Sequence, residues 1–304
     1  MAITLQESLR GLFYAPFYVA LAHEAYAKEG VDVRFVSAPE PGRAATAIMT
    51  GAADVSWGGP MRVMQTYHRD PACDLVSFAE VVTRDPFLLA GREPRPAFSL
   101  RDLTTMRLGS VSEVPTPWMC LQEDLRRMGV APETIERVPD KTMAENHAAL
   151  LAGTIDVAQL FEPFVSDLVE NHGCHVWYAQ ASRGPTSYTT FYARRAALTE
   201  RRDELTRMVR AIYKTQRWTA AATGAAIAEA VRPYFPDVPM PVLATACARY
   251  KSLGIWGHDP ILPRAGYDRL RDSLVSGGFV QPGTPFEIAV DNSIAEAVRA
   301  EGAV

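Results

Sequence analysis

The sequence predicts an α/β fold of two lobes with a ligand cleft between them. Three observations carry that reading: the length, a unit that occurs twice, and the alternation of helix and strand signals. At 304 residues the chain has material for two domains of ~100–200 residues each. Residues 47–55, AIMTGAADV, match residues 149–157, ALLAGTIDV, at a constant offset of 102. In both copies an amphipathic helix ends, Gly51 or Gly153 supplies the left-handed residue after it, and a short buried strand follows.

The elements ahead of each copy also correspond. Tyr14-Ala15-Pro16-Phe17-Tyr18 opens a helical stretch that reaches about Lys28, and Gly30 then leads to a strand over 31–36. Pro115-Thr116-Pro117-Trp118-Met119 opens a second helical stretch to about Met128, followed by Gly129. Pro16 and Pro117 suit the first helical position, where a missing N–H costs nothing, and Thr116 is the expected N-cap. Each half thus reads strand, loop, helix, strand, helix, strand. This order implies a largely parallel sheet with right-handed crossovers.

The lobes are expected to be discontinuous in sequence. The apolar run 87–90 leads into Gly91-Arg92-Glu93-Pro94-Arg95-Pro96 and a new strand at 107–110. Such proline-rich punctuation marks a loop. A second crossing is expected at Gly184-Pro185, ahead of the β-rich segment 186–193. Lobe 1 is therefore read as 1–92 plus 185–304, and lobe 2 as 93–184. From about Thr199 onward the chain reads as mostly helical, and the Ala-rich stretch 218–231 as a packed helix.

Composition narrows the function. A hydrophobic fraction of 48% and a charged fraction of 22% are ordinary for a globular protein. A net charge of −4 argues against nucleic acid as a partner, which demands a basic face. Cys73, Cys120, Cys174 and Cys247 stand far apart, without C-x-x-C or zinc-ligand spacing, and read as reduced, mostly buried thiols. No stretch reaches the ~18 apolar residues of a membrane span. Residues Met1 to Glu7 lack the basic, apolar and small-residue segments of a secretory leader. The expected location is the periplasm if a leader was removed, and the cytoplasm otherwise.

The segments Tyr14-Ala15-Pro16-Phe17-Tyr18-Val19-Ala20-Leu21, Lys28-Glu29-Gly30-Val31-Asp32-Val33 and Gly51-Ala52-Ala53-Asp54-Val55 resemble those of substrate-binding proteins of nitrate/sulfonate/taurine-type ABC transporters. Glu162-Pro163 and the return strand 186–192 fit the same pattern, so the resemblance spans the chain. It implies a periplasmic-binding-protein type II-like fold that closes on a small molecule. It also implies an ABC permease as partner, a monomeric state and no cofactor. Thiamine-pyrimidine synthases are similar too, but they carry a cysteine-rich iron motif in the return strand and a lysine and histidine in the loop that here reads Trp57-Gly58-Gly59-Pro60-Met61-Arg62. Neither feature is present here.

In open α/β sheets, ligands sit beyond the carboxyl ends of the strands, where helix starts offer unpaired N–H groups. Four loops meet these terms: 13–17, 57–61, 110–118 and 161–164, with Ser187-Tyr188-Thr189 as a fifth wall. Gly58 and Gly59 allow close backbone approach. Ser110 and Ser112 offer donors for a carboxylate, sulfonate or phosphate, whereas Glu113 repels one. Tyr14, Trp57 and Tyr188 offer flat surfaces. Phe17, Trp118 and Thr116 border the same loops, and for Phe17 and Trp118 a core role is an equal alternative. Glu162 ends an apolar strand and needs a partner, either a ligand N–H or a neighbouring backbone. Arg62 and Arg84 read first as solvent-facing salt-bridge residues and second as anion clamps.

Neither a metal site nor a catalytic constellation is expected. His23, His68, His147, His172, His175 and His258 show no ligand spacing beyond His172-Gly173-Cys174-His175, and no nucleophile elbow or Walker loop occurs. The expected function is capture of a small aromatic, heterocyclic or sulfonate-like molecule for ABC-type uptake. The alternatives are a cytoplasmic enzyme on the same scaffold acting on a pyrimidine or aromatic acid, and a sensor module.

Overall fold

The computed structural model describes residues 2–302. Two five-stranded sheets form the cores of two lobes. The first contains β1 (Ile3–Glu7), β2 (Val33–Ser37), β3 (Val55–Gly58), β4 (Leu75–Val82) and, from the far end of the chain, β10 (Thr189–Arg194), in the order β2-β1-β3-β10-β4. The second contains β5 (Leu88–Gly91), β6 (Arg107–Val111), β7 (Glu136–Lys141), β8 (Val157–Leu160) and β9 (His175–Ala179), in the order β7-β6-β8-β5-β9.

The sequence repeat is therefore a structural repeat. β1 lies parallel to β2 and β3, as β6 does to β7 and β8. Gly51 and Gly153 have φ of 75° and 72°, the left-handed conformation expected after a helix. The aspartate of each copy then secures the start of the first strand of its repeat, β1 or β6. Asp54 Oδ2 accepts the Thr4 N–H at 2.7 Å, and Asp156 Oδ2 accepts the Arg107 N–H at 2.9 Å.

Each sheet departs from parallel order at one strand. β10 is antiparallel between β3 and β4, and β5 is antiparallel between β8 and β9. The sequence placed residues 88–91 at the end of lobe 1, but they hydrogen bond within the second sheet. The outward crossing consequently runs through 83–87. It pairs with the return crossing: the Thr186 N–H donates to Thr83 O at 2.8 Å and the Tyr188 N–H to Val82 O at 2.9 Å.

Three local expectations need adjustment. The helix expected to run to Lys28 ends at Ala22 and restarts at Ala25, because Glu24 has φ of 52°. Thr116 is the first helical residue rather than the cap, which falls on Pro115. The Ala-rich stretch is the end of helix Arg202–Ala221 and a separate helix Gly224–Val231. All four cysteines are buried and free.

The helices after β10 pack against both lobes. Helix Met240–Ser252 rests on Phe164–His172 of the second lobe, and helix Arg264–Ser276 on Thr116–Arg127. No helix among the described residues is long and apolar enough to cross a membrane.

Candidate functional site

The loops after β1, β3, β6 and β8 meet in a cleft of two adjoining chambers that share Leu9 and Val114. The outer chamber has a volume of about 410 Å3. Its walls are mainly apolar: Leu9, Val114, Met143, Phe161, Phe164 and Phe235, with Arg10, Glu113 and Thr142 at the polar edge. Arg10 is already engaged, since its guanidinium grips the buried carboxylate of Glu7 at 2.6 Å. Glu113 Oε1 accepts the Met143 N–H at 2.8 Å, so its carboxylate caps the start of helix Met143–Leu151.

The inner chamber is small, about 30 Å3, which is room for ~2 waters or a compact head group. Ser8, Phe13, Tyr14, Met61, Arg62, Thr116 and Tyr188 line it. Tyr14 Oη and Ser8 Oγ are 3.2 Å apart. Burial raises the Tyr14 hydroxyl to about 12 and pushes that of Tyr188 well above the usual tyrosine range, so both stay protonated. The Tyr188 hydroxyl has no hydrogen-bond partner among the described residues.

Arg62 is the unexpected member. It lies in the first turn of helix Pro60–Arg69, which follows β3, and is only 8% exposed. Its one side-chain hydrogen bond among the described residues is to Gln65 Oε1 at 3.4 Å, and no carboxylate among them lies within ion-pair distance. Burial lowers its pKa, because desolvation disfavours the cation. The solvent-facing salt bridge expected from sequence is not found. An arginine buried without an acid is a standing electrostatic deficit, and it faces the inner chamber.

The structure brings together Tyr14, Gly59, Glu113, Thr116 and Tyr188 at the cleft. It places the other expected site residues elsewhere. Phe17 and Trp57 are fully buried and stacked at 4.7 Å and 9°. Phe35 covers the indole's other contact at 5.3 Å and 11°, so these rings are core. Gly58 is packed against Ser8 and Tyr192. Ser110 is buried beneath the second lobe's surface, where its Oγ accepts from Arg137 Nε at 2.6 Å. Trp118 lies under the same guanidinium, 4.6 Å from ring centroid to Arg137 Cζ. Ser112 is exposed and gives its N–H to Lys141 O. Ser187 is buried behind Tyr188, against Gly266.

Glu162 does not reach the cleft. It is completely buried and ion-paired with Arg249, while the N–H and Oγ of Ser166 donate to it at 2.8 and 3.0 Å. The partner that the sequence demanded is thus an arginine on helix Met240–Ser252, 87 residues away. Sequence reasoning ranked the anion-clamp reading of Arg62 second, and it missed Ser8 and the apolar residues Met143 and Phe235. For Ser8 a signal existed, as it directly follows the first strand's carboxyl end.

A sequence model of the family described as NMT1/THI5 like matches residues 13–226. The Bacillus subtilis (strain 168) protein YtlA, provisionally named a binding protein, is 26% identical over 304 residues, 98% of this chain and 90% of its own length. The periplasmic aliphatic sulphonate binding protein SsuA of Escherichia coli superposes with a TM-score of 0.76 at 15% identity, covering 92% of this chain and 94% of that one. The desulfurization enzyme DSZB superposes with a TM-score of 0.72 at 12% identity, covering 98% and 99%. At such identities these two structures establish likeness of fold: the two-lobed periplasmic-binding-protein arrangement.

Proposed function

The chain belongs to the NMT1/THI5-like family, and on that footing we propose that it captures a small organic acid in the cleft for delivery to an ABC-type permease. The ligand has an apolar, aromatic or aliphatic body and one anionic head group, a sulfonate or carboxylate. The observation that carries this reading is Arg62, which is buried, lines the inner chamber beyond the mainly apolar outer one, and has no acidic partner among the described residues. The head group supplies the missing charge, with the hydroxyls of Ser8, Tyr14, Thr116 and Tyr188 around it. The body fills the outer chamber, where burying apolar area contributes about 25 cal/mol per Å2. Contact with loops of both lobes favours the closed form through motion about the two crossings. Such delivery takes place on the outer side of the cytoplasmic membrane.

The fold also carries enzymes, so the test must read chemistry as well as binding. Purified protein is titrated calorimetrically with aromatic and aliphatic sulfonates and carboxylates, and with neutral analogues of the same shape. Each compound is then recovered and weighed by mass spectrometry. The expected result is binding of an acid, unchanged on recovery, with Arg62→Met weakening it about 10- to 100-fold, the range for a hydrogen bond to a charged group. Equal binding of neutral analogues, or an indifferent Arg62→Met variant, overturns the anionic head group. Conversion of the compound overturns the carrier in favour of an enzyme.

A further inference from the structure

Away from the cleft, one cluster combines metal-ligand chemistry with suitable geometry. His147 lies on helix Met143–Leu151, and Asp167 and His172 lie on helix Phe164–His172. His147 Nε2 is 2.7 Å from Asp167 Oδ2, and His172 Nε2 is 3.4 Å from the same oxygen. Each of the three residues offers a ligand atom, and these atoms all lie within 4.8 Å of one another. The other carboxylate oxygen, Oδ1, accepts from Asn171 Nδ2 at 2.8 Å. That bond fixes the carboxylate and leaves Oδ2 directed at the two imidazoles.

We infer that His147, Asp167 and His172 form a binding site for a zinc-class divalent ion. In a tetrahedral site with bonds of ~2.0–2.1 Å, neighbouring ligand atoms are about 3.3 Å apart. The two contacts to Asp167 Oδ2 already fall around that separation, so an ion needs side-chain adjustment rather than backbone movement. Imidazole and carboxylate together suit zinc over magnesium or calcium, which take oxygen ligands. Three protein ligands leave the fourth position to water. All three side chains are partly exposed, at 17%, 33% and 39%, so the ion has a path in. The sequence predicts no metal site, and its one suggestive spacing, His172 with Cys174 and His175, is not the set that comes together. Cys174 is 3% exposed and packed in the core, and His147 is the second imidazole.

The ion staples two neighbouring helices whose first residues line the outer chamber. Met143 and Ala144 start one, Phe164 starts the other, and the Phe164 ring is 6.2 Å from that of His147. The site therefore stiffens one wall of the cleft without touching the ligand.

The test uses metal-stripped, tag-free chain titrated with ZnCl2 and CoCl2. Calorimetry, the visible d–d bands of tetrahedral Co2+ and the melting temperature are the readouts. The expected result is one ion per chain, the cobalt bands, and a saturable rise in melting temperature with zinc but not magnesium. His147→Gln and Asp167→Asn abolish all three signals, while His172→Gln, at the exposed end of its helix, weakens binding at least about 10-fold without disturbing the fold. No zinc binding by the natural chain, or undiminished binding by His147→Gln and His172→Gln variants that melt as the natural chain does without metal, overturns the site.

Discussion

Gln180 donates a side-chain N–H to Asp85 Oδ2 at 2.8 Å and thereby ties the two inter-lobe crossings together inside the protein. Asp85 is fully buried on the outward crossing, and its Oδ1 holds the Phe87 N–H at 3.0 Å. Gln180 stands just ahead of the return crossing, and its carbonyl oxygen takes an N–H from Gln159 on β8. Both carboxamides also donate to Pro117 O. In this network only Gln159 Oε1 lacks a partner among the described residues, and such a set of buried bonds fixes one arrangement of the chain. Replacing Gln180 by Leu leaves Asp85 and Gln159 each short of a partner in a dry interior. The expected loss is about 1–3 kcal/mol, read from urea unfolding.

Glu80, on β4, should make stability depend on pH. Its side chain is 2% exposed, and burial raises its carboxyl from the ordinary 4.5 to about 8. The folded chain then keeps a proton that the unfolded chain releases near pH 4.5. Stability falls as pH rises across the interval from 4.5 to 8, and the full penalty is present above it. Asp85, raised to about 7 by burial, adds a slope of the same sign. The Glu80→Gln variant should be more stable than the natural chain at pH 8.5, on the order of a few kcal/mol, and close to it at pH 4. Thermal unfolding over that range checks both the sign and the window.

Glu162 and Arg249 test whether a buried acid near the cleft serves the ligand or the scaffold. Burial pushes the Glu162 carboxyl up, and Arg249 opposes the shift. Removing the arginine strands a carboxylate in an apolar interior. Arg249→Ala should therefore cost about 3–5 kcal/mol. The double variant Glu162→Gln, Arg249→Met should recover most of that loss, because no charge is left unpaired. Ligand affinity should be unaffected in the double variant; a large loss there would return Glu162 to the site.

The Phe17 and Trp57 stack provides the corresponding test for the aromatics. Phe17→Ala opens a cavity against Trp57 and Phe191, with an expected cost of about 3–5 kcal/mol. Tyr14→Phe removes only a hydroxyl bonded to Ser8 at the inner chamber. It should weaken ligand binding while leaving the urea midpoint within about 1 kcal/mol of the natural chain. Calorimetry and unfolding on the same two proteins separate the roles.

The repeated Gly-x-x-Asp-Val segments announced a duplicated α/β unit because each residue answers a local demand. Gly51 and Gly153 meet a left-handed backbone, and Asp54 and Asp156 hold strand starts in both lobes. Loops that carry a site could be placed for the same reason, since they follow strands readable over a few residues. The first crossing was set a few residues late because 88–91 is apolar whichever sheet it joins; strand partners are chosen across the chain, not within it. The distinction between Tyr14 at the chamber and Phe17 in the core, three residues apart on one turn, follows from which face of that turn meets β3.

What the sequence determined by itself was the class of fold, the duplication and the neighbourhood of the cleft, all of which follow from backbone conformation and short-range periodicity. Only the tertiary structure decided which charged groups are satisfied. Arg62 and Arg249 look alike as residues on helices, yet Arg249 finds Glu162 across 87 positions of chain and Arg62 finds no acid among the described residues. Charge pairing depends on distances in space of a few ångströms, and those are fixed by how distant elements pack.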